Sequence, residues 1–109
     1  MNKTIELESR KDWAGLLEHS RRWTKAQPGS GTAWFNLGIA YVKAGQLTKV
    51  IEAHQQALRI NPEYAKAWNN LGVAYSLSGQ RGKVLEVYKR LKALDPALAE
   101  HFFNNVVIP

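Results

Sequence analysis

The chain has 109 residues, with fifteen Lys and Arg against nine Asp and Glu, and no cysteine. One domain is all that this length supports, and 45% hydrophobic content with 10% aromatics excludes a disordered tail. Without cysteine there is no disulfide, thiolate metal site or cysteine nucleophile in this chain, while a net charge of +6 brings nucleic acid, anionic membranes and acidic proteins forward as partners to be weighed.

The first ten residues, MNKTIELESR, place Glu6 and Glu8 where a targeting signal would carry its apolar core. No apolar run approaches the ~18 residues of a membrane span, so a soluble, cytoplasmic protein with no membrane span is expected. Residues 10–26 carry Trp13, Leu16, Leu17 and Trp23 and run into Gln27-Pro28. They read as the second helix of a pair whose first helix is missing or reduced to residues 2–8. In 32–44, Trp34, Leu37, Ile39, Ala40, Tyr41 and Ala44 recur at helical spacing. Gly38 falls inside that helix and costs it about 1 kcal/mol against alanine, which is tolerable where the missing side chain lets a neighbouring helix approach. Gly45 suits a helix C-cap, and Thr48 is placed to cap a following helix over 48–60. Asn61-Pro62 stops that helix, because the residue before proline avoids the α region. A second pair follows over 66–78 and 82–94, with Gly72, Gly79 and Asp95-Pro96 in the same places. Ala97–Ile108 reads as a closing helix stopped by Pro109.

The two pairs are copies. At an offset of 34 residues, thirteen positions of 31–64 are identical in 65–98: Ala33, Trp34, Asn36, Leu37, Gly38, Ala40, Tyr41, Gly45, Gln46, Lys49, Val50, Glu52 and Pro62 match Ala67, Trp68, Asn70, Leu71, Gly72, Ala74, Tyr75, Gly79, Gln80, Lys83, Val84, Glu86 and Pro96. Pro28 lies one period before Pro62, and Phe102 stands one period after Trp68.

A 34-residue period with W-x2-L-G-x2-Y and a late proline resembles the tetratricopeptide repeat, or TPR. The motif is Trp34, Leu37, Gly38, Tyr41, Ala57 and Pro62 in the first copy, and Trp68, Leu71, Gly72, Tyr75, Tyr88 and Pro96 in the second. Val50 and Val84 replace the family's small alanine, His54 its aromatic, and Leu91 its next alanine. The resemblance implies an all-α, right-handed solenoid of antiparallel helix hairpins, with two full repeats flanked by single helices. Its divisions are a degenerate half repeat at 1–30, repeats at 31–64 and 65–98, and a closing helix at 99–109. Half, two and half make the roughly three repeats that such stacks need.

No catalytic constellation is legible. His19, His54 and His101 form no metal-binding pair, no serine lies in a G-x-S-x-G elbow, and Gly29-Ser30-Gly31 lacks the rest of a phosphate loop. His54 falls on a packing face and reads as a hydrogen-bonded core histidine; His19 and His101 read as surface. Neither enzyme activity nor a cofactor or metal is expected.

What remains is surface. Stacked hairpins curve into a concave groove, and the resemblance implies that the first helix of each hairpin lines it. That assigns Thr32, Phe35, Asn36, Ile39 and Lys43 to the groove, followed by Lys66, Asn69, Asn70, Val73 and Leu77. Asn36 and Asn70 are mid-helix, where asparagine is a poor helix former, and an amide that both donates and accepts suits a peptide backbone. Lys43 and Lys66 suit acidic groups. Chaperone-binding members clamp a terminal carboxylate. Asn36 and Lys66 match that clamp in part, but Asn70 stands where an arginine is expected and no leading helix supplies the first Lys and Asn. The reading is a protein-interaction scaffold holding an extended or helical partner segment of some acidic character. The alternative is self-association into a homo-oligomer through Trp13, Trp23, Phe102 and Phe103 at the apolar ends. Arg10, Lys11, Arg21, Arg22 and Lys25 on the first helix, and Arg81, Lys83, Lys89, Arg90 and Lys92 on the last full one, fall on the convex side and read as a solvated face. RNA binding there is the weakest alternative, and nucleic acid is not expected as the partner.

Overall fold

A computed structural model describes residues 12–108. Helix α1 runs Trp13–Ala26, α2 Gly31–Lys43, α3 Leu47–Ile60, α4 Ala65–Leu77, α5 Arg81–Leu94 and α6 Pro96–Phe102, which passes straight into a π-helical turn, Phe103–Val107. No strand occurs among the described residues. The 34-residue period is kept to the residue: α1, α3 and α5 begin at 13, 47 and 81, and α2 and α4 at 31 and 65. Helices α2 and α3 form one hairpin and α4 and α5 the next, with α1 packed on α2 and the C-terminal segment on α4 and α5. The fold is therefore an all-α solenoid. Residues 2–8, with Ile5, Glu6, Leu7 and Glu8, lie outside the described residues, as do Arg10, Lys11 and Pro109.

The helix ends follow from local chemistry. Gly45 and Gly79 have φ of 72° and 76°, a left-handed conformation that a side chain would strain. Each lets the chain fold back so that Gln46 N–H reaches the Tyr41 carbonyl (3.0 Å) and Gln80 N–H the Tyr75 carbonyl (2.9 Å), satisfying carbonyls left open by the last turn. Asp12, Ser30 and Asp95 cap α1, α2 and α6 through Gly15, Ala33 and Leu98 N–H. Thr48 does not cap α3. The helix already starts at Leu47, with Gln46 at the cap position and no side-chain bond there. The closing helix also starts earlier than the repeat register predicts. Asp95 ends α5 and caps α6 at once, and Pro96 serves as the first helical residue, where its missing N–H costs nothing.

The core is organised around the two mid-helix glycines. A methyl group on Gly38 would sit 2.6 Å from the His54 ring, and one on Gly72 would sit 2.8 Å from Val87 and closer still to the Phe102 ring. These glycines are therefore the notches that admit α3 and the closing helix. Trp34 and Trp68 stand at the α2 and α4 starts and donate their indole N–H to the carbonyls of Pro28 (2.8 Å) and Pro62 (2.7 Å), pinning each inter-repeat turn. At the third position Phe102 lacks that donor and is instead fully buried. Two apolar clusters result, one joining α1–α3 with Ala74 of α4, the other joining Ala57 and Leu58 of α3 with α4, α5 and the C-terminal segment.

His54 departs from expectation. It is fully buried, packed beneath Gly38 and 5.4 Å from the Phe35 ring, but neither ring nitrogen has a hydrogen-bond partner. Burial alone pushes its pKa down from 6.5 to about 4. His101 is exposed and His19 half-buried.

Candidate partner-binding groove

Helices α2 and α4 carry equivalent positions one period apart, and both pack on α3. Between their C-terminal halves the surface opens into a cavity of about 450 Å³. Ile39 and Val42 form one wall, Val73 and Leu77 the other, and Leu47 and Val50 of α3 the floor. Asn70 and Gln46 are the polar side chains on its lining. Val42 is 55% exposed and Leu77 73% exposed, so two large aliphatic groups meet water at the mouth.

Of the residues assigned to the groove from sequence, Ile39, Asn70, Val73 and Leu77 are brought together here. Phe35 is turned away into packing. It stacks on Tyr64 at 4.9 Å and abuts His54, half-buried where the first hairpin meets the second. Asn36 donates its amide N–H to the Thr32 carbonyl of its own helix (2.9 Å), leaving its side-chain oxygen for another donor. Asn69 donates to the Asn70 oxygen (3.3 Å), which holds the Asn70 amide with its N–H₂ group still available. Lys66 is exposed on the first turn of α4. Lys43, exposed on the last turn of α2, lies over the Trp13 ring at 5.5 Å. Val42, Gln46, Leu47 and Val50 were missed from sequence. The signal was present in Val42, an apolar residue followed directly by a solvent-facing lysine at the end of a helix. The period-34 comparison hid it, because Ser76 takes the equivalent place in the second copy.

The end-surface candidates fare differently from one another. Trp13 and Trp23 are half-buried on α1, the latter donating its indole N–H to Gln27 Oε1 (3.1 Å). Phe103 is half-buried against Tyr88, ring centres 5.1 Å apart. Phe102 is corrected outright: it has no exposed surface and lies in the notch above Gly72, so it offers nothing to another chain.

Hairpins stacked at a 34-residue period, with a groove along their first helices, define a helical-repeat solenoid. A TPR repeat model matches residues 38–79 and a tetratricopeptide repeat model residues 67–100. The chain belongs to the tetratricopeptide-repeat family. Among solved structures, the first TPR of Spaghetti (RPAP3), bound to the HSP90 peptide SRMEEVD, superposes with a TM-score of 0.85 at 17% identity, covering 96% of this chain and 87% of that one. The Sgt2 TPR domain from Aspergillus fumigatus gives 0.75 at 21% identity, over 95% of this chain and 64% of that one. MamA gives 0.59 at 21% identity, over 88% and 76%. At these identities the likeness is one of fold. No curated protein sequence matches. Among the described residues no helix is long and apolar enough to cross a membrane.

Proposed function

We propose that this chain is a protein-interaction scaffold that holds a segment of a partner protein in the groove between α2 and α4. The observation that carries the reading is the apolar cavity itself. A surface that leaves Val42 and Leu77 in water at the mouth of a 450 Å³ hollow is poorly explained by folding alone. Its size fits two large side chains of a partner. Asn70 supplies a directional hydrogen bond at the rim, and Asn36, at the equivalent position of α2, a second one. Neither α2 nor α4 carries a carboxylate, while Lys43 and Lys66 stand at their far ends, so a segment of acidic character meets no repulsion. The peptide in the Spaghetti structure, with two Glu and one Asp in seven residues, supports this as a use to which the fold lends itself.

The test is a partner identified by affinity capture and then reduced to a peptide titrated into isotope-labelled protein. Shifts are expected at Ile39, Val42, Val73 and Leu77. Asn36→Ala with Asn70→Ala is expected to weaken the peptide about tenfold, the loss of one to two hydrogen bonds, with melting nearly unchanged. Binding indifferent to that double change refutes the groove. Self-association through the ends has less support, since Phe102 is buried; a monomer by light scattering at high concentration disposes of it.

A further inference from the structure

Helix α5 carries Arg81, Lys83, Lys89, Arg90 and Lys92 against a single carboxylate, Glu86. That concentration is not required by the repeat. The equivalent positions of α3 are Leu47, Lys49, Gln55, Gln56 and Leu58, so the same fold is built one period earlier with one cation at these five places. Nor is the charge neutralised. The ion pairs among the described residues join Arg22 to Glu18 on α1 (3.3 Å) and Lys49 to Glu52 on α3 (3.6 Å), and α5 has none. Arg81 and Lys83 also lie in the first turn of α5, with no acidic residue there, against the helix dipole. The positions are nonetheless ordered. Lys83 lies over Tyr75 (5.3 Å), Arg90 over Trp68 (5.5 Å) and Lys92 over Tyr88 (5.9 Å), while Arg81 donates to the Val107 carbonyl (3.1 Å).

Arg81, Leu85, Lys89 and Lys92 share one stripe of the helix, and Leu85 is 46% exposed in the middle of it. We propose that this stripe is a second docking surface, separate from the groove, and that it takes an acidic amphipathic helix of another protein. Arg81 and Lys89 lie eight residues, about 12 Å, apart along the stripe with Leu85 midway, so carboxylates four residues either side of an aliphatic residue on such a helix would meet both cations while the aliphatic side chain covers Leu85. A phosphate backbone offers nothing to Leu85. The aromatic faces that could stack single-stranded bases already carry Lys or Arg. One aliphatic group is too little to anchor the chain in a lipid surface.

The experiment titrates a synthetic helical peptide, with Glu at four-residue intervals around a central Leu, into the isotope-labelled full chain. A short DNA duplex and phosphatidylserine vesicles serve as parallel arms. Shifts confined to α5 are expected, with affinity falling severalfold between about 50 and 200 mM salt. Lys89→Glu with Lys92→Glu should weaken the peptide about tenfold or more, and Leu85→Asp should weaken it further, helicity being unchanged by circular dichroism. Val73→Glu with Leu77→Glu in the groove should leave this binding intact, so the surface stands or falls independently of the groove. Absence of peptide binding, equal binding by the charge-reversed variant, shifts in α2 and α4 instead, or tighter binding of the duplex or vesicles would each overturn it.

Discussion

His54 offers the sharpest test of the packing described above. Its imidazole is fully buried under Gly38 with both nitrogens unpartnered, and its pKa is held down from 6.5 to about 4. A base whose folded pKa is depressed takes up its proton first in the unfolded chain. Between pH 6.5 and 4 the unfolded state binds more protons, so stability rises with pH across that window. The contribution is intact above 6.5, is lost progressively as pH falls, and levels off below 4. A displacement of roughly 2.5 units at 1.36 kcal/mol each gives a loss of about 3 kcal/mol, a large part of a small domain's stability. His54→Leu removes the titration and the unpartnered nitrogens together. At pH 7.5 it should be more stable than the parent by about 1–2 kcal/mol, from the desolvation of unmade hydrogen bonds less some repacking cost. By pH 4 the advantage should widen to about 4–5 kcal/mol. Urea unfolding of both proteins, followed by tryptophan fluorescence and circular dichroism at pH 7.5, 6, 5 and 4, measures the difference, in which the other titrating groups cancel. A difference that stays constant across the series would show that His54 is hydrated or takes up its proton normally in the folded chain, and would refute the argument.

Two further perturbations bear on the glycine notches. Gly38→Ala raises helix propensity by about 1 kcal/mol, yet it should destabilise the protein, because the new methyl meets the His54 ring at 2.6 Å. In the His54→Ala background the same change should become neutral or stabilising, and a double-mutant cycle by urea unfolding reads that reversal as a coupling of at least about 1 kcal/mol. Phe102→Ala empties the notch above Gly72 and should cost about 3–5 kcal/mol, seen as a lowered urea midpoint, whereas Phe103→Ala, half-exposed against Tyr88, should cost clearly less.

The repeat, the hairpins and most helix limits were legible because they rest on local rules. Positive-φ glycines, prolines and the apolar period act within a few residues, and the 34-residue offset repeats the message. Where reading went astray, the deciding contact was between elements or between competing caps. Thr48 looks like a cap, but the turn set by Gly45 already starts α3 at Leu47. Phe35 looks like a groove residue until Tyr64, from the next inter-repeat turn, is seen to claim its ring. Phe102 looks like an exposed end, but the Asp95-Pro96 junction omits the four-residue turn found at 61–64 and brings the closing helix in early, over Gly72. His54 lies on the core face as its spacing implies, while the lack of any partner for it depends on what packs around the ring from outside its own helix. Part of the cavity lining follows the repeat and part does not: Ile39 and Val73 are equivalent positions, while Val42 has Ser76 as its counterpart.

The net charge of +6 also resolves differently once the helices are in place. Lys43 and Lys66 are the charged residues of α2 and α4, whereas α1, α3 and α5 carry ten cations in all against three carboxylates. The groove lining is therefore apolar and uncharged, and most of the charge of the described helices lies outside it. Binding in the groove must draw mainly on buried apolar area, which salt scarcely alters, while binding on the outer stripe must draw on Coulomb attraction, which a Debye length of about 8 Å at physiological salt weakens strongly. A partner bound through both surfaces would lose only the outer share of its affinity as salt rises. Salt dependence that survives Arg81→Gln with Lys89→Gln and Lys92→Gln cannot come from the α5 stripe, and salt dependence abolished by that change cannot come from the groove.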